Sequence, residues 1–222
     1  MKTLITGAIV AIALGVASAP AMAATENLIV NGTFDNFTTG WTGTYQTRAN
    51  DPVIDTGSYF FAGPGAFHMI YQDYALTSDD LAILATTGLS YTLSADLFGW
   101  HEQQDRGTLS VYFMDAAGER ITSSTLLSST TYNGSWDTTI TAGGKYFQSV
   151  SGLVPTDTAS LKFVITSTRI GGGTNNDGYI DNASYSMAAV ETPAPVPVPA
   201  ALPLLGAGLA ALAGMRLRRR KA

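Results

Sequence analysis

Period-two alternation of apolar and polar residues recurs along the middle of the chain, and it restricts the fold to sheets with one buried face. In Leu89–Phe98 (LSYTLSADLF), Leu89, Tyr91, Leu93, Ala95 and Leu97 share one face, and Ser90, Thr92, Ser94 and Asp96 the other. Thr108–Asp115 sets Leu109, Val111 and Phe113 together. Ser160–Thr168 does the same with Leu161, Phe163 and Ile165, leaving Lys162, Val164 and Thr166 opposite. Further strands are predicted at Asn27–Phe34, Ala66–Gln72, Arg120–Leu127, Tyr146–Ser151 and Tyr179–Met187. Turn signals separate them: Gly63-Pro64-Gly65, Ala117-Gly118, Asn133-Gly134, Gly143-Gly144 and Gly171-Gly172-Gly173. Ser78–Ala85, with Asp79 and Asp80 in its first turn, is predicted as a short helix. Eight or nine short strands with little helix predict an all-β fold, a β-sandwich.

The two ends do not fit that pattern. Residues 1–23 combine Lys2, an apolar run Leu4–Val16 and the A-x-A site Ala21-Met22-Ala23, the parts of a secretory signal peptide. Signal peptidase would cut between Ala23 and Ala24; the alternative is an uncleaved anchor. Residues 191–199 form a Pro-rich linker, extended and semi-rigid. Ala200–Met215 is uncharged, and as a single transmembrane helix it would reach about 24 Å, short of the roughly 30 Å hydrocarbon core but extendable by snorkelling arginines. Residues 216–222 carry Arg216, Arg218, Arg219, Arg220 and Lys221, a basic cytoplasmic end. Both ends therefore place the β-domain, residues 24–190, outside the cell.

Charge separates the parts. Residues 24–200 hold six basic and all seventeen acidic side chains, a net −11, with no basic footprint for nucleic acid. The chain has no cysteine, which excludes disulfides, thiolate metal sites and cysteine nucleophiles. No G-x-S-x-G elbow, phosphate-binding glycine loop or H-E-x-x-H helix occurs. Glu102 and Asp105 could be imagined as a glycosidase carboxylate pair, but they are neighbours in the loop Trp100–Arg106, which reads more simply as solvated. Catalytic residues are thus assigned to none. Aromatic platforms for a sugar ring are sought at Trp100, Trp136, Tyr45 and Tyr59, with Trp41 assigned to the core.

The tail resembles the PEP-CTERM sorting signals in their VPLPA-CTERM variant: Val196-Pro197-Val198-Pro199-Ala200, then the apolar run, then the arginines, over residues 196–222. Val198 stands where that variant usually has Leu. The resemblance implies processing by an exosortase-type transpeptidase, with the protein first inserted in the inner membrane and then at the cell surface or outside it. A plain single-pass anchor is the alternative. The domain resembles galactose-binding-like jelly rolls, a group that includes many carbohydrate-binding modules. The likeness lies in Asn31-Gly32-Thr33-Phe34-Asp35 with Gly40-Trp41 near the start and in Asp177-Gly178-Tyr179-Ile180-Asp181-Asn182-Ala183-Ser184 near the end. It implies a jelly-roll β-sandwich and, in some members, a structural Ca²⁺ between the first and last strands, here at Asp35 and Asp181. The other reading of those acids is turn capping through backbone amides. Together these readings give an exported surface or matrix protein, not an enzyme, with extracellular polysaccharide as its partner. A purely structural surface protein and a small glycoside hydrolase are the rivals.

Overall fold

The computed structural model describes residues 26–37, 39–49, 57–99, 104–127 and 147–191. All belong to the unit Met22–Glu191. The predicted signal peptide, the predicted linker beyond Glu191 and the tail lie outside the described residues, as do Trp100, Glu102 and Trp136. Among the described residues no helix is long and apolar enough to cross a membrane.

The elements are β1 (Thr42–Gly43), β2 (Gln46–Ala49), β3 (Ser58–Phe61), β4 (Gly63–Pro64), β5 (Phe67–Ala75), α1 (Ser78–Thr86), β6 (Leu89–Gly99), β7 (Arg106–Met114), β8 (Arg120–Leu127), β9 (Phe147–Leu153), β10 (Ser160–Thr168), β11 (Asn175–Asn176) and β12 (Gly178–Ala189). Among them, sheet I has the order β1-β5-β10-β7-β8 and sheet II the order β2-β3-β12-β6-β9. A small β4–β11 ladder sits beside them. Every described pairing is antiparallel. The chain passes repeatedly from one sheet to the other (β5 to β6, β6 to β7, β8 to β9, β9 to β10), which makes the fold a jelly-roll β-sandwich.

Alternation explains the layers. Leu109, Val111 and Phe113 of β7 and Leu161, Phe163 and Ile165 of β10 meet Leu89, Tyr91, Leu93 and Ala95 of β6 and Tyr185 and Met187 of β12 in one core. The sheets interlock through aromatic pairs, with ring centres 5.2 Å apart for Tyr91–Phe113 and 5.1 Å for Phe163–Tyr185. Such a buried side chain contributes about 1.5–3 kcal/mol through removal from water. α1 begins with a capping box: Asp80 N donates to Thr77 Oγ1 (3.1 Å) and Thr77 N donates to Asp80 Oδ2 (2.9 Å).

A second aromatic cluster lies on the outer face of sheet II. There Tyr59, Phe61, Phe98 and Tyr179 are all buried, with Tyr179 5.1 Å from Tyr59, 5.4 Å from Phe98 and 5.9 Å from Phe61. Sheet II is therefore apolar on both faces at this end, so β3 shows no alternation in sequence.

One predicted strand is absent. Asn27–Phe34 is a run of turns, with φ of 52° at Asn31 and 57° at Phe34, a left-handed backbone that no strand accommodates. It docks by side-chain bonds instead, as described next.

Candidate functional site

The opening and closing motifs form a latch. Asn27 Nδ2 donates to Ala183 O (3.0 Å), and its Oδ1 accepts from Tyr185 N (2.9 Å) and Ile29 N (3.0 Å). Gln72 of β5 acts as a substitute peptide group: Val30 N donates to its Oε1 (3.0 Å), and its Nε2 donates to Val30 O (2.6 Å). Asn31 Nδ2 closes the next turn on Phe37 O and Thr39 O, while Trp41 Nε1 donates to Asn31 O. Ala183 N donates to Gly32 O (3.0 Å), so the backbones touch there and leave no space for a side chain on Gly32. Phe34 and Trp41 then stack in the core, ring centres 5.8 Å apart. The N-G-x-F … G-W motif is thus a device that fastens the first segment to β12.

The two acids of these motifs have backbone work. Asp35 is exposed, and its Oδ1 accepts from Ser58 N (2.8 Å). Asp181 is fully buried, and its Oδ1 accepts from Asn182 N (2.7 Å). The residue that the sheet sets opposite Asp181 is Asp96 of β6, also buried, whose Oδ2 accepts from Asn182 Nδ2 (2.9 Å). Among the described residues no three His, Cys, Asp or Glu side chains cluster as metal ligands.

Asp105 is not a solvated loop residue. It is buried; Oδ1 accepts from Ile170 N (2.7 Å) and Gly171 N (3.0 Å), and Oδ2 accepts from Asp177 N (2.9 Å). Tyr179 Oη donates in turn to Asp177 Oδ1 (2.6 Å). Ser167 and Asn176 tie the same end together: Ser167 Oγ donates to Gly178 O (3.0 Å) and Asn176 Nδ2 to Ser167 O (2.8 Å). Both oxygens of Asp105 therefore accept from backbone amides and hold these segments together.

Two of the four proposed sugar platforms are corrected by burial. Tyr45 is 7% exposed, inside the Phe34–Phe60 aromatic group, and its hydroxyl donates to Phe37 O (2.7 Å). Burial pushes that phenol up to about 12. Tyr59 is 2% exposed, within the second cluster. Neither has a ring face open to a ligand.

Aromatic surface is found instead on the outer face of sheet I. Phe67, Met69 and Tyr71 of β5 point away from the core, as do Lys162 and Thr166 of β10 and Thr108 and Tyr112 of β7. Lys162 stands between Asp73 and Tyr112 in register, directly opposite each. Its Nζ is 2.5 Å from Asp73 Oδ1 and 4.0 Å from the centre of the Tyr71 ring. Arg120 of β8 covers the Tyr112 ring, its guanidinium carbon 4.7 Å from the ring centre. Hydroxyls fill the rest of the face, Thr108 with Thr166 (2.6 Å) and Ser110 with Thr125 (2.9 Å). The result is an outer sheet face on which two partly buried tyrosines each carry a cation over the ring, among hydroxyls and a carboxylate. Packing against aromatic rings and hydrogen bonds to the hydroxyls and charged groups around them are interactions a pyranose uses. A search restricted to loops misses Tyr71 and Tyr112. The signal present in the sequence is an aromatic on the polar side of an alternating strand.

The described chain is thus a jelly-roll β-sandwich with a tyrosine-bearing outer face. No family model matches it, and no curated protein does. Solved structures that resemble it include the enzymatically active domain of tailspike protein 4 of bacteriophage CBA120, at 17% identity and TM-score 0.47, covering 72% of this chain and 21% of that one. A CBM4 structure matches at 17% identity and TM-score 0.40, covering 72% of this chain and 99% of the other. The CBM22-1–GH10 modules of Clostridium thermocellum xylanase 10B, complexed with xylohexaose, match at 14% identity and TM-score 0.41, covering 75% and 28%. The chain spans about a fifth of the length of that tailspike domain.

Proposed function

We propose that this protein is exported to the bacterial cell surface and associates there, without catalysis, with extracellular polysaccharide through the outer face of sheet I. The observation that carries the reading is the pair Tyr71 and Tyr112 on one sheet face, bracketed by Lys162, Asp73 and Arg120. Supporting it, the signal peptide and the PEP-CTERM-like tail address the domain to the surface, and the resemblance of its end motifs is to carbohydrate-binding jelly rolls. The direct test is retention of the protein by purified extracellular polysaccharides, followed through the tyrosines as described in the Discussion.

Export has its own expected result. Alkaline phosphatase fused after Val190 is active, because both ends of the sequence put that residue outside. Surface-recovered protein lacks Arg218–Lys221, as exosortase-type processing requires. An inactive fusion overturns export; an intact arginine cluster on the bulk of the surface protein replaces sorting with a plain anchor.

A structural Ca²⁺ at Asp35 and Asp181 belongs to the same reading. Both acids sit beside the seam where β3 meets β12: Asp35 binds Ser58 N, and β3 pairs with β12 at Phe60↔Ile180. Backbone carbonyls would have to complete the shell. A cation bound only by the folded state raises its stability by mass action, so chelation is expected to lower the melting temperature and Asp181→Asn to remove that dependence. Equal melting with calcium and with chelator leaves the acids as backbone caps.

A further inference from the structure

We propose that β9 is a self-pairing edge: two copies of the chain join their β9 strands antiparallel about a two-fold axis through Val150, merging the two copies of sheet II into one continuous sheet.

Among the described strands β9 pairs on one side only, with β6. Its ladder runs from Ser90↔Leu153 to Asp96↔Phe147 without a register shift. Natural edge strands are blunted by shortness, charge, proline or bulges. The other three edges show such devices: β1 is two residues long, β2 carries Arg48, and β8 carries Arg120 with a register irregularity between Phe113 and Met114. β9 has none. Phe147-Gln148-Ser149-Val150-Ser151-Gly152-Leu153 contains no charge and no proline.

The sequence is also self-complementary. Antiparallel pairing centred on Val150 sets Phe147 opposite the second copy's Leu153, Ser149 opposite its Ser151, and Gln148 opposite its Gly152. Each pair joins residues of the same face, which the period of two demands. Backbone polarity agrees. Val154 N donates to Leu89 O (2.8 Å), so even-numbered residues turn their amides toward β6. Phe147, Ser149, Ser151 and Leu153 then direct theirs to the edge that no described strand pairs, and these are the residues the two-fold axis pairs. Phe147 and Leu153 are 44% and 68% exposed, and the seam brings each against the other twice.

Charge selects a second copy as the occupant. Residues 24–190 carry a net charge of −10, which opposes the approach of one copy to another. Across β9 from Ser90 to Ala95, β6 is uncharged, and the acid opposite Phe147, Asp96, is buried. An acidic chain approaches its own kind most easily along this strand. Self-pairing presents two copies of the sheet I face, and a long polysaccharide would then be held at two points, with a gain in avidity. The edge lies in the other sheet from Tyr71 and Tyr112, so the failure of either proposal leaves the other standing.

The test uses the full chain in mild detergent. The native protein sediments as a dimer, and Ser149→Glu, an exposed outward position that leaves the core untouched, halves the mass without altering the melting of the monomer. Absence of cysteine makes crosslinking clean: Ser149→Cys and Ser151→Cys proteins, mixed and oxidised, form a disulfide-linked heterodimer in preference to either homodimer, because directly paired Cα atoms about 5.5 Å apart allow the bond. A monomeric native chain, a dimer that survives Ser149→Glu, or crosslinks dominated by 149–149 links would each overturn the proposal.

Discussion

Replacing Gly32 by alanine is expected to destabilise the domain by about 3 kcal/mol or more, at or above the upper end for an overpacked site. A Cβ there would lie 2.0 Å from Ala183 O and 3.0 Å from its carbonyl carbon. Neither atom is a side-chain tip that can swing aside. Ala183 belongs to β12, and its own amide donates to Gly32 O, so relieving the clash means lifting the opening segment off the sheet. Asn27 and Gln72 would lose their backbone partners together with it. For a domain of this size the loss corresponds to a fall in melting temperature of roughly 6–12 °C. Gly172→Ala is the control: nothing lies within 4 Å of its Cβ position, and its melting should stay level or rise slightly. Equal melting of the two variants would show that the opening motif is not docked on β12.

Asp105→Ala is the second large effect, on the order of 3–5 kcal/mol. The carboxylate accepts from the adjacent amides of Ile170 and Gly171 and from that of Asp177, six residues further on. Each buried donor left without a partner costs about 1–3 kcal/mol, and water entering the gap recovers part of that. Asp105→Asn is expected to fall between, since its amide oxygen keeps two of the bonds and its NH₂ faces the third donor. Chemical denaturation of the three proteins gives the order. Native-like stability of Asp105→Ala would return the residue to a solvated loop.

How far the sequence specifies this fold depends on how many faces of a strand are buried. β6, β7 and β10 are legible because one face meets the core and the other largely meets water or hydroxyls. β3 is not. In Ser58-Tyr59-Phe60-Phe61, Phe60 enters the main core while Tyr59 and Phe61 enter the cluster on the opposite face, so the alternation vanishes. β1 and β2 are too short for a period to show. The opening segment misleads in the other direction: Leu28, Ile29 and Val30 suit a strand, but the left-handed turns at Asn31 and Phe34 and the side-chain amides of Asn27 and Gln72 take the place of a ladder.

The candidate site was legible only in part, for a related reason. Tyr45 and Tyr59 have the right chemistry and the wrong exposure, and exposure follows from which segments cover them, which is a long-range property. Asp105 looks like any acid in a polar loop until the three amides that surround it are brought in from residues 170–177. Tyr71 and Tyr112 are far apart in sequence. They reach one face because β10 lies between β5 and β7 and sets Lys162 beside both.

Polysaccharide binding by this face is read out by affinity electrophoresis of the native chain beside Tyr71→Ala/Tyr112→Ala. Each lost ring contact is worth about 0.5–1.5 kcal/mol, so the double variant should bind about tenfold more weakly or worse. Both tyrosines stand outside the core, so its melting temperature should change little. The native protein should be retarded by a polysaccharide gel and the variant should not, at unchanged melting. A native protein that migrates freely through every polysaccharide, or a variant retarded as strongly as the native chain, would contradict binding by this face.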